Sequence, residues 1–206
     1  MTSLIFLPGA SGLTAFWQPV KDQLTHMLGL NIQDSQIQAY PEFDGRPSVP
    51  HVHDFQTLQQ FVLEQIQKPS VVIAQSMGGI FAVQAALQKP QYVQALVLVA
   101  TSGGIDLKPF QVADWRKDYK DQFDVPLWFV GEQQNLDAEL AKIQCPVLLI
   151  WGNADPISPV SVGQYLNQKI KHSSLVIIDQ GQHDLADRHA EQVSQHIASF
   201  FKVHQL

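Results

Sequence analysis

A chain of 206 residues, 45% of them apolar, has enough apolar surface to bury a core, which excludes a disordered chain and fits a single domain carrying an insertion. Its formal net charge of −6 offers no basic face for nucleic acid or an anionic membrane, and points to a small-molecule partner. The one cysteine, Cys145, excludes an internal disulfide and a cysteine-rich metal site.

The first apolar run, SLIFLP (3–8), ends in the glycine turn GASG and has no basic stretch before it. It reads as a strand rather than a signal peptide, and no later apolar run approaches a membrane span, so a cytoplasmic protein is expected. Helical spacing follows over Ala15–Leu28, then a short strand candidate, IQAY (37–40). Over Asp54–Gln67, Phe55, Leu58, Phe61, Val62 and Ile66 form an apolar stripe, with Asp54 as the N-cap. SVVIAQ (70–75) leads into a helix over Met77–Gln88, and ALVLVAT (95–101) is the next run. PVLLIWG (146–152), a helix over Pro159–Lys169, SLVIID (174–179) and a helix over Arg188–Val203 complete the series.

Runs of Val, Ile and Leu without alternation are the pattern of strands covered on both faces. Alternating with helices, they predict right-handed βαβ units in a doubly wound, mostly parallel α/β sheet of about six strands. The connection from Gly103 to Lys142 is far longer than a crossover needs. It carries Phe110, Trp115, Tyr119, Phe123, Trp128 and Phe129, and is expected to form a small helical cap or lid over a site. The bland alternative is a helical excursion packed on the body. The whole chain, 1–206, then reads as one domain with a cap insertion at about 103–142.

The chemistry concentrates at AQSMGG, where an apolar strand stops at Ser76. This is one residue from G-x-S-x-G, the sharp strand-to-helix turn that holds a serine in a strained backbone conformation. Ala74, Gly78 and Gly79 are small where strand and helix converge, and the Met77 amide stands at the helix N-terminus beside developing negative charge. A serine N-cap in a tight βα turn is the competing reading. A serine nucleophile needs a base, and the base an orienting acid. Asp155 follows VLLIWG and His183 follows LVIID, each in a loop at a strand end, giving the order Ser…Asp…His. Asp179 and Asp184 are the alternatives for the acid. Fragments such as HVHD (51–54) and HDLADRH (183–189) lack a complete metal-ligand set, GASG lacks the rest of a phosphate-binding motif, and Cys145 reads as a small buried apolar residue.

LPGASG with FWQPV after it, AQSMGG, CPVLLIWGNADPISP and GQHDLADRHAEQV together resemble the α/β-hydrolase superfamily over nearly the whole chain. The resemblance implies strand order 2-1-3-4-5-6 and a cofactor-free serine hydrolase acting on a small carboxylic ester or thioester. It also implies an oxyanion hole formed by the backbone N–H groups of Ala10 and Met77. Trp115, Trp128 and Phe129 of the insertion are expected to wall the substrate pocket. Two departures stand out: Pro8 replaces the histidine usual in the first loop, and YPEFDGRPS (40–48) replaces a tighter turn. Carbon–carbon bond hydrolysis, lyase chemistry and a non-catalytic ligand-binding role remain alternatives on the same fold. No metal is expected, and the sequence leaves the oligomeric state open.

Overall fold

The computed structural model describes residues 3–29, 35–116 and 134–206, with residues 119, 122, 123, 125, 126 and 128 between them. Six strands form one sheet: β1 (Ser3–Leu7), β2 (Ser35–Ile37), β3 (Ser70–Gln75), β4 (Val93–Val99), β5 (Val147–Gly152) and β6 (Ser173–Ile178). Every neighbouring pair is parallel and the order is β2-β1-β3-β4-β5-β6, as the resemblance implied. β1, β3 and β5 are buried along their whole length, so their continuous apolar runs match strands covered on both faces.

The helices include α1 (Gln18–Leu28), α2 (Phe55–Glu64), α3 (Met77–Gln88), α4 (Val160–Lys169), α5 (Leu185–Arg188) and α6 (Ala190–His204). On one face, α2, α3 and α4 bury Leu58, Val62, Phe81, Ala82, Val162 and Leu166 against Val72, Leu96 and Leu149. On the other, α1 and α6 bury Val20, Leu24, Val193, Ile197 and Phe201 against Phe6, Ile73, Val97 and Ile150. Asp54 caps α2 as expected, accepting from the Thr57 amide at 2.7 Å in a reciprocal capping box. Among the described residues no helix is long and apolar enough to cross a membrane.

Two boundaries differ from the sequence reading. The second strand lies at Ser35–Ile37 rather than 37–40. As an edge strand it needs no continuous apolar run, so polar Ser35 and Gln36 can pair with Leu4 and Ile5. The predicted helix over Arg188–Val203 is α6, which starts two residues later, at Ala190, because His189, with φ −114° and ψ 35° outside the helical region, separates it from the short α5. The 103–142 stretch contains short 3₁₀ turns at Lys108–Phe110 and Asp137–Lys142.

Candidate active site

Ser76 sits where β3 gives way to α3, with φ 52° and ψ −122°, a left-handed backbone that a serine adopts only when its surroundings enforce it. The Ser76 amide donates to Val99 O at 3.1 Å, and Thr101 Oγ1 donates to the Ser76 carbonyl at 2.5 Å. Small residues are required here for a reason the sequence did not reveal. A Cβ on Gly78 would stand 2.5 Å from Pro8 O and 2.6 Å from Leu7 O, so the close neighbour of the elbow is the end of β1. A Cβ on Gly79 would collide with the Thr101 side chain.

Asp155 and His183 lie in the loops after β5 and β6, and the fold brings both to Ser76. His183 Nε2 is 3.0 Å from Ser76 Oγ, and His183 Nδ1 is 2.8 Å from Asp155 Oδ2. The other oxygen of Asp155 accepts from the amides of Ile157 and Ser158 at 2.8 and 3.0 Å, which fixes the carboxylate. The Asp155 side chain is fully buried, whereas that of His183 is 23% exposed and reaches the cavity. A carboxylate against Nδ1 favours the proton there and leaves the Nε2 lone pair facing the hydroxyl. The two alternative acids are engaged elsewhere: Asp179 accepts from the Asn153 side chain at 2.8 Å, and exposed Asp184 pairs with Arg188 at 3.3 Å.

The loop after β1 completes the arrangement. Three successive carbonyls, from the last residue of β1 into this loop, are each bound: Leu7 O by the Trp17 indole at 3.0 Å, Pro8 O by the Tyr40 hydroxyl at 2.9 Å, and Gly9 O by the Gly12 amide at 3.0 Å. Among the described residues the amides of Ala10 and Met77 meet no acceptor, and both residues line the same cavity as Ser76 and His183. Two unused donors beside a serine hydroxyl are suited to hold a developing oxyanion.

That cavity is about 450 Å³. Its floor is apolar, with Phe55, Met77 and Ile105 buried beneath it, while exposed Asp106, Lys108 and Arg116 stand at the rim. Residues from the long insertion supply much of its wall, including Leu107, Val112 and Trp115. The insertion is clipped to the Asp155 loop by the Ala113 amide, which donates to Pro156 O at 2.8 Å. Its far end is fastened to α4, where Asp137 accepts from Tyr165 at 2.7 Å and Lys169 at 3.2 Å. The Tyr165 hydrogen bond, and then Lys169, hold the Asp137 carboxyl below the usual range.

Of the three aromatics expected on the pocket wall, Trp115 is there. Trp128 is not among the residues lining the cavity; its ring meets Phe43 edge-on at 6.2 Å and packs on the core instead. Phe129 lies outside the described residues. Cys145 is half-buried just before β5, and burial pushes its thiol up to about 11, the opposite of an activated nucleophile. Sequence reasoning missed Gln75, whose side chain donates to the His183 carbonyl at 3.2 Å, along with Thr101 and Tyr40. None of the three carries a motif of its own; only adjacency to the elbow marked Gln75.

The sequence matches a family model described as serine aminopeptidase, S33, over residues 48–120, and one described as TAP-like protein over residues 118–206. The uncharacterized hydrolase YugF of Bacillus subtilis is 26% identical over 200 residues, covering 73% of each chain. The pimeloyl-[acyl-carrier protein] methyl ester esterase of Neisseria meningitidis serogroup A is 26% identical over 183 residues, 67% of this chain and 59% of that one. Its namesake from Aliivibrio fischeri strain MJ11 is 21% identical over 98% of this chain and 95% of its own. Among solved structures, a putative lipase from Acinetobacter baumannii superposes with a TM-score of 0.79 at 18% identity, over 99% of this chain and 84% of that one. An esterase from Thermogutta terrifontis gives 0.77 at 15% identity, over 100% and 91%. Sheet order, elbow and family matches running from residue 48 to 206 place this chain among proteins of the α/β-hydrolase fold.

Proposed function

We propose that the protein is a serine hydrolase of small carboxylic esters that works through an acyl-enzyme without a cofactor. The observation that carries this reading is the hydrogen-bonded line Ser76–His183–Asp155, with heavy-atom separations of 3.0 and 2.8 Å, on a strained elbow. His183 Nε2 takes the proton of Ser76 as Oγ attacks the carbonyl carbon. Asp155 stabilises the imidazolium and keeps its orientation without itself being protonated. The amides of Ala10 and Met77 receive the oxyanion, after which the tetrahedral adduct collapses and His183 returns the proton to the departing alkoxide. Water, activated by the same imidazole, then releases the acid and restores the serine.

An ester is favoured over an amide because several relatives are named as ester hydrolases. The apolar floor and modest volume of the cavity suit a short acyl group, with residues 103–142 acting as the cap. The test is reaction with a fluorophosphonate probe followed by peptide mapping. The expected result is one adduct at Ser76, absent in Ser76→Ala, together with hydrolysis of p-nitrophenyl butyrate. A wild-type protein that binds acyl esters yet forms no adduct would be a ligand-binding protein on this fold.

A further inference from the structure

The oxyanion loop begins with Pro8, a residue with no side-chain hydrogen-bonding group, so its bracing must come from elsewhere. Tyr40, just beyond β2, reaches across to donate its hydroxyl to Pro8 O at 2.9 Å and is only 1% exposed. We infer that Tyr40 is a positioning residue that keeps the Ala10 amide aimed, with that of Met77, at the oxyanion; this rests on the hydrolase reading above.

The reasoning starts from peptide planarity. The described peptides are all trans, so in each plane the C=O and the following N–H point in opposite directions. The bond from Gly12 to Gly9 O therefore turns the Ala10 N–H the other way, and the Tyr40 bond fixes the plane before it. Between the two planes stands Gly9, which has no Cβ to hold one plane against the other, so the aim of the Ala10 amide depends on the plane before it being held. Proline fixes its own φ, so once the Pro8 carbonyl is pinned little slack remains upstream of Ala10. Without the hydroxyl, the Pro8 carbonyl becomes a buried acceptor with no partner and will turn in search of one. Rotation there passes through Gly9 to the Ala10 amide.

Tyr40 itself cannot drift. Its ring meets Phe43 at 5.6 Å and Phe81 at 5.7 Å, both edge-on. Burial holds its phenol well above the usual value, so it remains a neutral donor throughout the working pH range. Tyr40→Phe keeps these ring contacts and removes only the hydroxyl.

The experiment compares wild type, Tyr40→Phe and Ile197→Ala, which takes packing from the core on the opposite face of the sheet and leaves the ring cluster around Tyr40 intact. Rates are measured per folded molecule, at a temperature below all three melting points. Tyr40→Phe is expected to lower kcat about tenfold to a hundredfold, less than the 10²–10³ typical of deleting an oxyanion donor outright. KM should stay within about twofold, because ground-state binding does not use the hole. Affinity for phenylboronic acid, whose tetrahedral serine adduct puts an oxygen in the hole, should fall by the same factor as kcat. Ile197→Ala should melt earlier with kcat unchanged. A kcat less than about threefold below wild type, a loss carried by KM, or an unchanged boronate affinity overturns the assignment. So does a Tyr40→Phe chain that folds at no temperature, since the hydroxyl would then hold the fold and not the loop. If wild type forms no fluorophosphonate adduct, the hydrolase reading fails and takes this one with it; a reactive wild type matched by Tyr40→Phe sinks this one alone.

Discussion

Replacing Gly78 with alanine tests how closely α3 and the end of β1 are fitted. The new Cβ would stand 2.5 Å from Pro8 O and 2.6 Å from Leu7 O, whereas ordinary contact begins near 3.4 Å, so helix or strand end must retreat by close to 0.9 Å. Both carbonyls are pinned, one by Tyr40 and one by Trp17, and neither yields cheaply. Overpacking of this kind costs about 1–3 kcal/mol, and the pinned backbone puts the cost at the upper end. Alanine recovers roughly 1 kcal/mol of helix propensity, leaving a net loss of about 2 kcal/mol. In a domain of this size that lowers Tm by roughly 4–8 °C. The same retreat moves the Met77 amide away from that of Ala10, and a misplacement near 1 Å costs about a hundredfold in rate. The assay is thermal unfolding by circular dichroism alongside kcat on p-nitrophenyl butyrate. Gly78→Val should be worse on both counts. A Gly78→Ala protein melting within about 1 °C of wild type, with kcat within twofold, would mean that β1 and α3 do not meet as described.

His183→Ala should lower kcat by about 10⁴ or more with the fold intact, and Asp155→Asn somewhat less, because it spoils tautomer and orientation while leaving the base. Loss of activity in Asp179→Asn or Asp184→Asn, with Asp155→Asn near normal, would reassign the acid. Asp137→Asn should lower Tm at neutral pH by at most about 3 °C, since the group is partly exposed and its lysine pairing is screened. The folded carboxyl is held below its ordinary value, so its contribution is present above the usual carboxylate range and lost as pH falls through the lowered value. Wild type and variant should therefore converge in acid, and a gap that persists there would refute the carboxylate's role. On p-nitrophenyl esters, kcat/KM should peak at about two to six acyl carbons, and Trp115→Ala should move the optimum to longer chains. A profile climbing steadily to palmitoyl would remove the small-pocket reading.

What the sequence made legible were features with local periodicity or a local motif. The parallel strands announced themselves as unbroken apolar runs, and α3 is found at the bounds its sequence predicts, because Ser76 and the glycines after it leave one place for a helix to start. β2 was misplaced because an edge strand is specified by its single neighbour rather than by its own hydrophobicity. The candidate site divides the same way. Ser76, Asp155 and His183 each follow a strand and could be read in order. Tyr40, Thr101 and Gln75 act through contacts 32, 25 and 108 residues distant in sequence, which no window around them encodes. Trp128 shows the converse error, since an aromatic in an insertion is as ready to fill a gap beside Phe43 as to wall a pocket.

The long insertion is also tied to the loop that carries Asp155. Ala113 bonds the carbonyl of Pro156, directly after Asp155, and Val112, Trp115, Ile157 and Ser158 form one stretch of cavity wall. Ser158 also gives its amide to Asp155 and accepts the Trp151 indole at 3.1 Å. On the proposed function, the cavity wall and the loop that orients the imidazole thus form a single mechanical unit. A bulky acyl group pressing on Trp115 pushes through Ala113 on the loop that carries the acid. Substrates too large for the cavity should therefore lose kcat as well as affinity, because strain at the wall is passed to the base. Size exclusion confined to binding would instead raise KM alone, and that pattern across graded acyl chains would show the wall and the loop to be independent.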